Sequence, residues 1–352
     1  MSMLRPQRII QVGPGLRVRG GVSSVERLIL EAVGQRAPIE HVATMEDGTL
    51  LRKAWVFACA IWRIRRILRE TRPLAFHVHF ASYGSSFRKY VVSRMVLRTP
   101  NRLILHAHGG QFDSFFLELP SIFRKRFSKV VQEADEFIVL SSQWQEFYSR
   151  NLGRSREKIS VFINPTQLPD DLPDRGRHER VQFLFMGRMS RSKGAFELLE
   201  AFAALPTGTR QRARLVFAGD GMIEELRTAA RAVGSDVAVR SWLSTEDRDN
   251  LLGASDVLVL PSRAEGVPMA ILEAMSHGIP VITTPVGGIP DVVTDMKEGL
   301  FIGVGDQTAL TAAMTRLVDD PELRCMLGTS ARARAESLSI THYAERLMKL
   351  YQ

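Results

Sequence analysis

The sequence predicts an α/β protein built as two doubly wound halves, and three observations predict it. At 352 residues the chain is longer than one hydrophobic core usually organises. Short apolar runs alternate with longer amphipathic segments, the pattern of strand-helix-strand units that assemble parallel sheets. The alternation stops in a stretch at 164–179 that is rich in Pro, Asp and Gly, and then begins again. Domains over 1–170 and 171–337 follow, with 338–352 as a terminal segment.

In the first half, strands are expected over 8–12, 76–80, 103–107, 136–140 and 159–163, with helices between them. The second half repeats the scheme with strands over 181–186, 215–218, 237–240, 257–260 and 281–283. Helices are expected over 306–318 and 321–335, and a last one over 340–351 carries Tyr343, Leu347 and Leu350 on one face.

Composition narrows the class. Apolar residues make up 45% and charged residues 24%, enough apolar surface for a globular chain and not the balance of a disordered one. The two cysteines, Cys59 and Cys325, are far apart and lie in no metal-binding spacing, which excludes a disulfide framework and a zinc knuckle and fits a reducing cytoplasm. Residues 1–15 hold no long apolar run, so no secretory leader is expected. The most apolar stretch, 54–62, falls well short of the roughly 20 residues that cross a bilayer.

Charge is unevenly spread. Residues 1–170 carry 26 Lys and Arg against 14 Asp and Glu, a balance of +12, whereas 171–352 carry 21 against 24, a balance of −3. The first half is therefore suited to an anionic membrane surface, a lipid-phosphate acceptor or nucleic acid, or simply bears a solvated basic face. The last of the three partners lacks support, since the chain has no recognition helix, RNA-binding aromatic motif or zinc finger. At 53–69, Trp55, Phe57, Ile61, Trp62 and Ile64 lie among Arg63, Arg65, Arg66 and Arg69, the composition of an interfacial helix. A helix packed on the first sheet with its arginines outward is an equal reading.

Three loops carry the chemistry. Residues 187–194 (GRMSRSKG) follow a strand and precede a helix, where an open α/β sheet binds anions. Arg188 and Lys193 there would clamp a diphosphate, the guanidinium with two bonds and the ammonium as a compact charge. The second loop, 261–278, puts Glu265 and Gly266 on a turn, Pro268 at the first helical position, Glu273 in the second turn and Gly278 at the cap. Two carboxylates so placed do not face each other across one bond, as a glycosidase pair would. They suit hydrogen bonds from vicinal hydroxyls. The third, 280–293, runs from a buried strand into Gly287-Gly288 and a helix start.

The run 265–293 resembles the signature of family-four glycosyltransferases, with Glu265 and Glu273 matching their E-x7-E motif. The resemblance extends to Gly187-Arg188, Lys193-Gly194, Ala218-Gly219-Asp220-Gly221, Gly299-Leu300 and Val304-Gly305-Asp306. Before residue 170 it continues in Gly20-Gly21-Val22 and in His106-Ala107-His108-Gly109-Gly110. It implies the GT-B fold, two Rossmann-like doubly wound domains facing across a cleft, with an acceptor-side first domain, a donor-binding second domain and a terminal helix crossing back to the first. By that resemblance Arg188 and Lys193 contact the donor diphosphate and Glu273 the ribose. Glu265, with Gly266 and Val267 beside it, contacts the transferred sugar. Gly20 and Gly21 let backbone approach the phosphate, the base lies near Leu243, and His108 hydrogen-bonds the donor sugar.

The activity so implied is retaining transfer from a nucleotide-diphosphate sugar, without a metal or other cofactor, because Arg188 and Lys193 stand where a cation stabilises diphosphate elsewhere. The implied acceptor is a glycan or a polyprenyl-diphosphate-linked glycan, in cell-surface polysaccharide or glycolipid synthesis. A cytoplasmic protein, peripheral on the inner face of the plasma membrane, is expected. A sugar-nucleotide epimerase of GT-B architecture and a non-catalytic relative are the alternatives. Independently, His77-x-His79 and His106-x-His108 each put two imidazoles on one strand face, the beginning of a metal site that no cysteine or carboxylate completes.

Overall fold

The computed structural model describes residues 8–70, 74–110, 112–172 and 179–352, and divides into two compact units. One runs to Pro165 and takes in Ser339–Gln352; the other is Thr166–Leu338. Of the stretch expected to link the halves, 173–178 lies outside the described residues.

The first unit holds a parallel sheet of β1 (Ile9–Gly13), β2 (Ile39–Ala43), β3 (Ala75–Phe80), β4 (Arg102–Ala107), β5 (Glu136–Val139) and β6 (Ser160–Val161), in the order β2-β1-β3-β4-β5-β6. One face is apolar. Ile10, Val12, Phe76, Val78, Phe80, Leu103, Leu105 and Phe137 pack there with Ala60, Ile64 and Ile67 of the helix Leu50–Ile67. The other face carries a polar row, because in register Gln11 lies beside His41 and His77, and His79 beside His106. The helices Gly21–Gly34 and Ile340–Tyr351 cover this row and pack on each other. Gln11 Nε2 donates to Glu26 O of the first, and His77 Nδ1 meets Tyr351 Oη of the second at 2.7 Å.

The second unit holds β7 (Val181–Met186), β8 (Ala213–Ala218), β9 (Val237–Arg240), β10 (Val257–Leu260), β11 (Val281–Thr283) and β12 (Gly299–Phe301), all parallel, ordered β12-β11-β10-β7-β8-β9. The direction of strand addition reverses between β7 and β10, and an open sheet offers its ligand crevice at the carboxyl ends beside such a reversal.

Each sheet has six strands rather than the five the sequence suggests. β2 reads IEHVA and β12 only GLF, so neither shows the apolar run by which a buried strand is recognised. The strand expected over 159–163 shrinks to Ser160–Val161. Pro268 stands one position before its helix, Met269–Ser276, with Gly278 left-handed at φ 68° past the end.

Candidate active site

In the second unit the loops after β7 and β10 meet. A single 3-10 turn, Arg191–Lys193, follows β7 and is capped by Ser190, whose hydroxyl accepts from Lys193 N. Arg263 N donates to Ser192 O at 2.9 Å, tying this turn to the loop after β10. Lys193 Nζ lies 2.6 Å from Glu265 Oε2. The Glu265 side chain is only 6% exposed, and Ser262 Oγ, itself buried, donates to its other oxygen at 2.7 Å. Ser262 is held in turn by Thr284 Oγ1, which donates to its carbonyl. A carboxylate this buried is sustained by its ion pair and hydroxyl, and it leaves Lys193, 31% exposed, as a cation at the crevice.

Close backbone approach fixes these loops. A Cβ on Gly287, where φ is 59°, would stand 1.9 Å from Glu265 O, and Gly288 N donates to Gly266 O at 2.6 Å. Gly219, with φ 151°, likewise has no room for a side chain beside Gly187 O. Glycine there brings the β8 loop against the β7 loop.

Arg188 is 70% exposed, and its Nε lies 3.7 Å from Asp220 Oδ1, so the guanidinium is displayed on the surface with one loose partner. Glu273 faces a different setting from Glu265. Burial pushes its carboxyl up to about 7, with Asp249 adding and Arg248 opposing, and Arg248 Nη1 lies 3.1 Å away. Val267 is buried beneath the loop, while Leu243 sits half-buried in the connection after β9. Lys193 and Glu265 are thus brought into contact, and Glu273 is partnered separately.

In the first unit Gly20 adopts φ 145° at the start of the helix Gly21–Gly34, with no side-chain cap and open space where a Cβ would point. His108 follows β4. Its amide donates to Phe80 O, and its Nε2 lies 2.8 Å from His79 Nδ1. Burial drives His77 and His108 down to about 3, His108 helped by Lys89, and drives His79 and His106 well below the usual imidazole range. One ligand atom from each of His77, His79 and His106 can be chosen so that all lie within 4.8 Å of one another. Several of these nitrogens already serve hydrogen bonds, His77 Nε2 to His106 Nδ1 at 3.2 Å among them.

Sequence reasoning missed Ser262, although the S-x-x-E spacing to Glu265 was visible. It missed Arg248 because no local pattern links a helix residue to Glu273. Lys89, buried with Nζ donating to Thr44 Oγ1 at 2.6 Å and lowered to about 7 by burial, passes for a surface lysine in the sequence.

A family model described as "Glycosyl transferases group 1" matches residues 172–334, and one described as "Glycosyltransferase Family 4" matches 28–168. The chain is 25% identical over 375 residues to an alpha-D-kanosaminyltransferase of Streptomyces kanamyceticus, covering 99% of this chain and 95% of that protein. It is 26% identical over 290 residues to a Campylobacter jejuni alpha-1,4-N-acetyl-D-galactosaminyltransferase named for a diNAcBac-PP-undecaprenol acceptor, covering 82% of this chain and 77% of that one. Among solved structures, Anabaena HepE in complex with UDP superposes with a TM-score of 0.77 at 16% identity, covering 98% and 99% of the two chains.

Proposed function

Since the chain belongs to the group 1 glycosyltransferases, with the GT-B fold, we propose that it transfers a sugar from a nucleotide diphosphate to a glycan or a polyprenyl-diphosphate-linked glycan. Anomeric configuration is retained and no metal takes part. The observation that carries this reading is the Lys193–Glu265 pair at the strand reversal: a buried carboxylate holds an ammonium at the mouth where a diphosphate would sit. As the sugar-phosphate bond breaks, charge develops on the leaving diphosphate, and Lys193 with the displayed Arg188 offsets it. Glu273 accepts from the ribose hydroxyls, Glu265 orients the sugar once a diphosphate competes for Lys193, and His108 bonds the sugar. The leaving phosphate oxygen takes the acceptor proton.

Lipid-linked acceptors are supported by the name of the Campylobacter relative and by the helix Leu50–Ile67. Leu51, Trp55 and Trp62 stand 84%, 71% and 65% exposed there among Arg52, Arg63, Arg65 and Arg66. No helix among the described residues is long and apolar enough to cross a membrane, and we read this one as a peripheral contact with anionic lipid at the inner membrane face. Vesicle flotation tests it: W55A/W62A should lose binding to anionic vesicles, and equal binding by wild type and variant would refute the contact.

For the activity, UDP-, GDP-, ADP- and dTDP-sugars are incubated with the purified protein, with and without chelator, and released nucleotide and product anomer are read by NMR. One donor consumed in chelator with retained configuration is expected. Inversion or metal dependence would end the proposed mechanism, and inertness toward every donor would favour a non-catalytic relative.

A further inference from the structure

The His79–His108 pair determines which nitrogen of His108 carries its proton. Both rings are neutral at pH 7, so each carries one N–H. The single bond between them, His79 Nδ1 to His108 Nε2 at 2.8 Å, can run in two directions. If His108 donated from Nε2, the proton of His79 would sit on its own Nε2, a fully buried nitrogen with no partner among the described residues. If His79 donates from Nδ1, that buried Nε2 is left as a bare lone pair. An N–H buried without an acceptor is the rarer and costlier fault in folded proteins, so the second arrangement prevails. The proton of His108 then lies on Nδ1, which makes no hydrogen bond among the described residues and belongs to a partly exposed ring.

We propose that His79 is a positioning residue that locks His108 as its Nδ1–H tautomer, making His108 a hydrogen-bond donor to an oxygen of the bound sugar. The role toward sugar rests on the reading of His108 above; the tautomer does not. The consequence is directional: a ring so locked donates to a hydroxyl oxygen or ring oxygen and cannot accept a proton from a substrate at Nδ1. His108 is thereby excluded as a general base and confined to orienting the donor. His79 contributes from the neighbouring strand β3, as outer partners do when they fix the orientation and tautomer of a functional histidine.

The test uses the whole 352-residue chain labelled with 15N-histidine and read by long-range 1H–15N correlation at about pH 6 to 8, with His108 assigned from its disappearance in His108→Gln. A neutral His108 protonated at Nδ1 is expected, and protonation at Nε2 would overturn the proposal. Kinetics provides a second readout. His79→Leu removes the donor and should lower kcat about 10–100-fold, the usual consequence of losing an outer partner. His79→Asn places an amide N–H where Nδ1–H stood and should restore most of that loss. Equal losses in the two variants would show a merely structural role and overturn the proposal. The NMR readout needs no substrate, so a protein inert toward every nucleotide sugar would defeat the transferase reading while the tautomer was still decided on its own evidence.

Discussion

Three fully buried imidazoles, His77, His79 and His106, together with the partly exposed His108, all held neutral, should make the first unit selectively sensitive to mild acid. His77 and His108 are held near 3, and His79 and His106 well below 6.5, burial being the leading cause in each. Their folded values are depressed, so unfolded imidazoles bind protons that folded ones refuse. The stability they contribute is fully present above pH 6.5 and is lost as pH falls through 6.5 towards 3. Between pH 6.5 and 5.5 each such group costs about 1 kcal/mol, which for four is about 4 kcal/mol as an upper bound and about 2 kcal/mol if coupling and residual solvation halve it. Against a typical total of about 5–15 kcal/mol that is a large fraction. Hydrogen exchange, corrected for intrinsic rate, is the assay, read on peptides spanning Ala75–Phe80 and Arg102–Ala107. Those strands should lose protection between pH 7.5 and 5.5, while Val181–Met186 of the second unit, which has no histidine, changes little. Equal protection of β3 and β4 at the two pH values would refute the reasoning.

Three further outcomes are expected at the proposed donor site. Lys193→Ala should lower kcat about 10²–10³-fold, the scale of losing one preorganised charge at a developing anion. Because Lys193 is nearly a third exposed, its loss should cost stability no more than about 1–3 kcal/mol; steady-state kinetics with an unchanged kcat would contradict its role. Glu273, raised to about 7, should grip ribose only when ionised, so the donor KM should fall as pH rises from 6 to 8. Glu273→Gln should hold the low-pH KM throughout, and parallel pH profiles for the two proteins would count against the assignment. Gly287→Ala forces a Cβ to 1.9 Å from Glu265 O at φ 59°. It should cost about 1–3 kcal/mol or more in thermal unfolding and raise the donor KM through the displaced Glu265 loop.

What the sequence made legible followed from periodicity and punctuation. β7, β10 and β11 have the spans their apolar runs suggest, because buried parallel strands read as continuous apolar segments between turn residues, and the edge strand β9, alternately half-buried and exposed, also has its expected span. The loops after β7 and β10 stood out as candidate sites for a related reason: a strand end, a glycine and a cation within eight residues have the local form of an anion site without long-range information. β2 was not legible, since Glu40 and His41 occupy positions that a buried strand fills with apolar residues. Their partners, Arg8 and Arg63 for Glu40 and Glu26 for His41, lie far along the chain. Arg248 beside Glu273 was hidden in the same way.

The two sheets handle polar groups at different depths, and that difference explains which residues were visible. In the second unit, charge is gathered in the loops at the strand ends, where partners from neighbouring loops pair it and local loop chemistry announces it. In the first, Gln11, His77, His79 and His106 lie at no exposure between the sheet and two helices, where each is tolerated only through a partner from another element. Ordinary packing would favour valine or isoleucine at those positions, as on the opposite face of the same strands. Tyr351, one residue from the end of the sequence given, supplies the hydroxyl at His77, so the last helix contributes more than apolar cover. Tyr351→Phe keeps that cover and removes only the hydroxyl, leaving His77 Nδ1 buried without a partner, which should cost about 1–3 kcal/mol. Thermal unfolding of this variant separates the two contributions: an unchanged midpoint would mean that the helix serves the sheet by packing alone.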